Sequence, residues 1–294
     1  MRIEKYNVVF QRKNMIFLMN RFIFGTNILN KMNILKRIQS YIKFYIKSKP
    51  AIGHGIHSPF VYQFSTEILL KGNKKIKKLN QIELLRKNMT KNRSIIEVSD
   101  FGAGNSSGTK LRKIADIAKK ASSPRKYCNL LFRITEQFKP ESIIELGTSL
   151  GLASASMALA SADAKLITIE GCPAIAGLAK ENFELLGIKN IQQHVGQFDE
   201  ILPTILPKLN HPFIAFIDGN HKYEPTLKYF KQILSICNCQ SIIIIDDIHW
   251  SEEMEQAWNE IKAMPETIIC IDLYRMGIIF FRTGLPKQEF IIQY

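Results

Sequence analysis

The chain has 294 residues, 46% of them hydrophobic, and carries 40 Lys/Arg against 26 Asp/Glu for a net charge of +14. That supports a substantial core in one large domain, or one domain with an added lobe, and no run approaches the ~18 apolar residues of a membrane span. The five cysteines are odd in number and scattered, as in a protein of the reducing cytoplasm, and Cys237-Asn238-Cys239 lacks the second cysteine pair of a zinc site.

The charge is unevenly placed. Residues 1–140 carry 29 Lys/Arg against 7 Asp/Glu, whereas residues 141–294 carry 11 against 19. A basic front half suits nucleic acid or an anionic membrane surface. Its lysines come without the aromatic interleaving that base stacking needs, so a solvated Lys-rich surface is the plainer reading. Residues 5–66 contain no acid. Within them Met15–Leu29 is apolar but broken by Arg21, too short for a span and without a signal-peptide cleavage site. It reads either as a surface-lying amphipathic helix or, more simply, as sequence ahead of a translation start at Met32.

Ile34–Ile46 has helix-spaced apolar residues with lysines between them. Ser58-Pro59 then gives a helix cap followed by a first-turn proline, just after His54 and His57 in a glycine-rich approach. Asp100–Gly108, D-F-G-A-G-N-S-S-G, lies between a β-like run (Ile95–Val98) and a helix-like one (Lys110–Lys120), and so imitates a nucleotide loop. No apolar strand ending in an acid follows about 20 residues on, so it reads as a loop and a candidate lid.

From Ser142 the pattern becomes regular. Ile143-Ile144 reads as a buried strand ending in Glu145, followed by Gly147, Gly151 and a small-residue helix. Such glycines allow a sharp turn and close approach to a ligand at a helix start. Leu166–Ile169 ends in Glu170, placed where an acid holds a nucleotide ribose. Strands are expected over 142–146, 165–169, 191–195, 213–217, 241–246, 268–273 and 277–281. Helices are expected over 150–161, 173–186, 198–205, 224–236 and 251–264. The alternation predicts a doubly wound, mostly parallel seven-stranded α/β sheet whose last two strands form an antiparallel hairpin.

In that order the chain resembles class I S-adenosylmethionine-dependent methyltransferases, specifically the small-molecule O-methyltransferase branch and its uncharacterised bacterial members. Glu145-Leu146-Gly147-Thr148-Ser149-Leu150-Gly151 is similar to the branch's first motif, Ile169-Glu170 to its ribose-binding acid, and Val195-Gly196-Gln197-Phe198 to its adenine-side turn. Phe216–His221 and Ile245–Trp250 resemble its two acidic motifs. The likeness covers residues 141–282. It implies S-adenosylmethionine held by Glu145, Gly147, Thr148, Ser149, Gly151, Glu170, Gln197, Phe198 and Asp218. The G-x-G-x-x-G of an NAD enzyme is not there.

Asp218, Asp246 and Asp247 all follow β-rich runs and so fall at carboxyl ends of parallel strands, where ligands bind in open α/β sheets. Three facing carboxylates need a neutraliser, and a hard divalent cation is the simplest. In metal-dependent relatives the matching positions hold Mg²⁺, which implies Mg²⁺ or another divalent ion here; in metal-free ones Asp218 only contacts the cofactor. His221 and His249 are the candidate bases for deprotonating an acceptor hydroxyl, with Trp250 as a substrate wall.

The expected division is a basic extension, disordered or ahead of the true start (residues 1–33), a helical front lobe or lid (34–140), and the cofactor-binding domain (141–294). In this reading His54, His57 and the Asp100–Gly108 loop face the crevice. The expected protein is a cytoplasmic enzyme, O-methylating a diol, catechol or sugar, without a transmembrane segment and with a homodimer left open. A metal-independent enzyme, a nucleic-acid methyltransferase gripping phosphate with its front lobe, and a non-catalytic binding module are the alternatives. I-D-G-N-H is not the N-P-P-Y motif of the second, and the intact cofactor motif argues against the third.

Overall fold

Strand β4 (Ser142–Leu146) is buried along its whole length, with β5 (Lys165–Glu170) on one side and β7 (Phe213–Ile217) on the other, all parallel. A strand covered on both faces needs no polar alternation, which is why Ile143-Ile144 and Ile242–Ile245 run as unbroken β-branched segments. The computed structural model describes residues 28–51, 56–70, 77–99 and 109–294, with side chains from residue 38 onward. His54 and Asp100–Gly108 lie outside these. The chain divides into residues 1–47, which include helix α1 (Ile28–Lys47), and residues 48–294.

In the second unit the described elements begin with β1 (Lys49–Pro50), α2 (Pro59–Phe64) with a π-helical turn after it (Ser65–Leu69), α3 (Asn80–Met89), and β2 (Ile95–Ser99). Next come β3 (Thr109–Lys113), α4 (Ile114–Lys120) and α5 (Arg125–Phe138). After β4 follow α6 (Leu152–Ala160), β5, α7 (Pro173–Leu185), β6 (Ile191–Val195), α8 (Phe198–Ile205), β7, α9 (Tyr223–Leu234) and β8 (Ile242–Ile245). The unit closes with α10 (Glu252–Ala263), β9 (Ile269–Asp272), β10 (Gly277–Phe280) and β11 (Gln288–Gln293). The main sheet has the order β1-β11-β9-β10-β8-β7-β4-β5-β6, and only β10 runs antiparallel to its neighbours β8 and β9.

The α/β architecture, the parallel run and the β9–β10 hairpin agree with expectation. Two strands do not. Among the described residues the sheet has nine strands rather than seven, because β11 pairs in parallel with β9, and β1 pairs in parallel with β11. The front region is also not purely helical. The run expected as a helix over Lys110–Lys120 begins instead inside strand Thr109–Lys113, paired antiparallel with β2, and the helix starts only at Ile114. Thr-Lys-Leu-Arg-Lys has no buried face of its own, so its partner strand decides its conformation.

One face of the sheet, with Ile143, Ile214, Phe216, Ile244, Ile271 and Phe280, packs beneath α2, α5 and α6 through Val61, Phe64, Leu130, Ile134 and Met157. The other, with Ile144, Leu146, Ala215, Ile217, Ile245 and Ile279, packs on α8, α9 and α10. A third cluster joins α3, β2 and α4 to α5 and α7. Residues 48–140 thus share their cores with the strands.

Ser58 caps α2, its Oγ accepting from Val61 N at 3.5 Å, with Pro59 in the first turn as expected. This cap stands at the amino-end edge of the parallel strands. Phe60 and Phe64 meet Phe280 edge-on at 4.9 and 5.5 Å, and Phe280 pairs with Ile242, the first residue of β8. His57, exposed beside that cap, therefore lies at the edge opposite the acids and not over them. Phe280→Ala should empty the centre of this aromatic cluster and cost about 3–5 kcal/mol, read by urea denaturation.

Candidate functional site

The turn leaving β4 carries the glycines singled out in the sequence. Gly147 has φ 101°, and a Cβ there would collide with the carbonyl oxygen of Asp218. Glycine is demanded here by the neighbouring strand end, independently of any ligand. Gly151, φ 77°, begins α6, where a Cβ would strike the Phe183 ring. Between them Ser149 takes φ 48°, and its N–H donates to Glu170 Oε2 at 2.9 Å. Cys172 N–H donates to the other oxygen at 3.0 Å. Burial raises the Glu170 pKa while these backbone donors oppose the rise. The second strand's acid is thus held at the lip of the first motif's turn.

Glu145 and Thr148 face inward. Glu145 is fully buried and accepts from Ser154 Oγ and from Thr168 Oγ1, the latter at 2.6 Å, while Thr148 and Thr168 hydroxyls meet at 2.6 Å. Both were expected at the cofactor; their side chains instead tie β4, its turn, β5 and α6 together. Gln197 is exposed at the start of α8. The Phe198 ring lies 2.7 Å from where a Gly219 Cβ would stand, and packs edge-on against Tyr229 at 5.5 Å.

Asp218 and Asp246 follow the paired ends Ile217 and Ile245 of adjacent strands, roughly 4.8 Å apart. Burial, and then the charges of Asp246 and Asp247, push the Asp218 carboxyl well above the usual carboxylate range, with Arg275 pulling it back. Ser123 Oγ donates to Asp218 Oδ2 at 3.2 Å, and His221 Nε2 stands 3.5 Å from Oδ1. Asp246 is 0% exposed and clasped by Arg275, Nε at 3.0 and 3.1 Å and Nη2 at 2.7 Å; Nε also lies 3.5 Å from Asp247 Oδ1. Burial works against the guanidinium charge, but Asp246's hydrogen bonds and the surrounding carboxylates outweigh it, so Arg275 stays protonated.

The acids therefore do not fit the metal role expected for Asp218, Asp246 and Asp247. A bidentate guanidinium already takes both oxygens of Asp246, and among the described residues no group of three His, Cys, Asp or Glu side chains could hold a metal ion. His249 is similarly committed. Its Nε2 lies 2.8 Å from Asp272 and its Nδ1 3.0 Å from Glu255, and its ring stacks on Tyr274. Burial lowers its pKa, but the two carboxylates outweigh that and raise it. An imidazole held by two acids is a poor proton acceptor.

Three contributors were not singled out in the sequence. Arg275 sits in the four-residue turn between β9 and β10, Tyr127 lies beneath its guanidinium at 5.5 Å, and the 121–123 segment crosses from the front region. Ser149 Oγ donates to Ala121 O at 2.9 Å, and Arg86 Nη1 fixes Ser123 O at 2.7 Å. Strain marks the same place. Among the described residues five non-glycines have positive φ, and Ser149, Asn220, Asp247 and Tyr274 all lie at this edge.

Residues 144–248 match the family model described as Methyltransferase domain. The fold is shared with solved methyltransferase structures. Among solved structures, the SAH-bound methyltransferase of Podospora anserina aligns with a TM-score of 0.54 and 15% identity over 79% of this chain and 100% of its own. A caffeoyl-CoA O-methyltransferase, so described, from Staphylococcus aureus gives 0.53 and 16% over 75% and 99%. The Bacillus cereus O-methyltransferase in complex with SAH gives 0.50 and 14% over 74% and 97%. No curated protein matches the sequence. Among the described residues no helix is long and apolar enough to cross a membrane.

Glu145 gives this site a pH signature. Burial pushes its carboxyl up to about 7, against the Ser154 and Thr168 hydrogen bonds. Its protonated form stabilises the fold fully below the ordinary carboxylate range, and that contribution is lost as pH rises through about 7. Glu145→Gln keeps an acceptor oxygen and cannot ionise. Its melting temperature should exceed the wild type's increasingly as pH rises from about 4.5 to about 7 and level off above that, by the equivalent of a few kcal/mol.

Proposed function

We propose that the protein transfers a methyl group from S-adenosylmethionine to a hydroxyl of a small molecule, with His221 accepting the hydroxyl proton. The observation that carries this is the charge left over at the crevice. Arg275 balances one carboxylate of the Asp246–Asp247 pair, and Asp218 is left without a full counter-charge beside a glycine turn and a ribose-type acid, Glu170. A cationic sulfonium nucleoside matches that surplus. When bound, it supplies an electrophilic methyl carbon.

The chain's own residues supply the rest. Glu170, fixed by two backbone N–H groups, is the acceptor for ribose hydroxyls. Asp218, steadied by Ser123, faces the positive charge. His221, 3.5 Å from Asp218 and 26% exposed, can take a proton from an acceptor and pass it to water. Trp250, 51% exposed beside these acids, offers a flat wall to a sugar or aromatic ring. We place the base at His221 rather than His249 because only His221 lacks a second carboxylate.

Calorimetry should show S-adenosylmethionine binding by the wild type and no NAD binding. Gly147→Val should abolish it through collapse of the turn against Asp218. Because the Asp218 carboxyl is held up, affinity should fall as pH is lowered, and Asp218→Asn should flatten that dependence. In a labelled-methyl screen over diols, catechols and sugars, His221→Ala should lower turnover roughly 10²–10⁴-fold with cofactor affinity unchanged. Absence of cofactor binding by the wild type would overturn the assignment.

A further inference from the structure

Relatives of this fold are expected to neutralise the acids of the fourth and fifth strands with a divalent ion; here a side chain stands in the way. We infer that Arg275 does the electrostatic work of that ion at the two fifth-strand acids, so that methyl transfer proceeds without a bound metal. The inference rests on the methyltransferase reading for its chemistry, but on geometry alone for the charge balance.

Three features converge on it. The first is saturation. Asp246 is completely buried, and its two oxygens receive three guanidinium contacts between 2.7 and 3.1 Å. The second is reach. The same Nε lies 3.5 Å from Asp247, so one monocation serves both acids of the fifth-strand motif. The third is delivery. Arg275 is carried by the β9–β10 turn, with Tyr274 at φ 70°. The turn is pinned by Tyr274 N–H donating to Asp272 Oδ1 at 2.8 Å and by Ile248 N–H donating to Arg275 O at 3.1 Å. Tyr127 packs over the guanidinium from the front region. A planar fork with five N–H donors matches a carboxylate edge-on as an ammonium does not, and it forms a directional pair where a metal would require several oxygens.

Nη1, the third guanidinium nitrogen, makes no hydrogen bond to the described residues, and the Arg275 side chain keeps 27% exposure. An N–H group that is unspent and charged at the crevice is a donor for an acceptor oxygen. Arg275 is therefore both the counter-ion of the buried acids and a positioning residue for the hydroxyl that His221 deprotonates.

The test begins with Mn²⁺ titrated into the full-length wild type, alone and with S-adenosylhomocysteine present, followed by calorimetry and water-proton relaxation. The expected result is no saturable site tighter than about 1 mM. A saturable site removed by Asp246→Asn would overturn the inference. Arg275→Met should lower the melting temperature by about 5–15 °C, because it strands a buried carboxylate, and adding Asp246→Asn should recover most of that loss. An Arg275→Met protein as stable as the wild type would also overturn it. Should that variant not fold, the Mn²⁺ titration still decides. With an acceptor in hand, turnover in a chelator should equal turnover in Mg²⁺, and a tenfold loss restored by Mg²⁺ would refute the proposal. Cofactor binding is measured on the same preparation, so a failed methyltransferase assignment shows there while the titration still reports the charge balance.

Discussion

The ion pair between Arg275 and Asp246 is the constraint on which the crevice depends. A carboxylate with no exposure cannot remain charged without a partner, and the partner has to arrive at the carboxyl end of β8. A plain parallel sheet would bring helix starts to that edge and little else. Inserting β10 antiparallel between β8 and β9 places the β9–β10 turn at the same edge as the acids. The hairpin is thus the device that carries a guanidinium to Asp246.

A second, quieter network supports the opposite side. Glu145, Ser154, Thr148 and Thr168 form a buried set of hydroxyl and carboxyl groups linking two strands, a turn and a helix. It holds the turn at the height where Ser149 N–H meets Glu170. Polar residues at a motif need not touch what the motif binds, and here two of them face inward while the backbone above them faces the crevice.

Much of the core was legible in the sequence because parallel strands announce themselves. The strands expected at 142–146, 191–195 and 213–217 match β4, β6 and β7 residue for residue, and the acids at the end of β5 and after β7 and β8 mark the carboxyl edge. What escaped depends on partners distant in sequence. Arg275 is one residue in a short turn, and nothing local says that it reaches Asp246. Ser123 reads as a loop residue before a proline, yet it meets Asp218. His249 looked like a free base because Asp272 and Glu255 approach it from other elements. β3 has no apolar period, and β11 acquires its identity only by pairing with β9.

The outer edge of the sheet joins the two extremes of the second unit. Lys49 pairs with Ile292 and Pro50 with Gln293, and Gln293 Nε2 donates to Ser48 Oγ at 3.1 Å. On the ribosome, the βαβ units from β4 onward can close as they emerge, since each strand's neighbour is made within a few tens of residues. The β1–β11 ladder has no such freedom. Its first strand waits through the synthesis of everything between, and closing so long a loop carries the largest chain-entropy cost in the sheet. Until β11 arrives, β9 presents an unpaired parallel edge, so the nascent chain is exposed to misassembly there while the segment between β10 and β11 is being made.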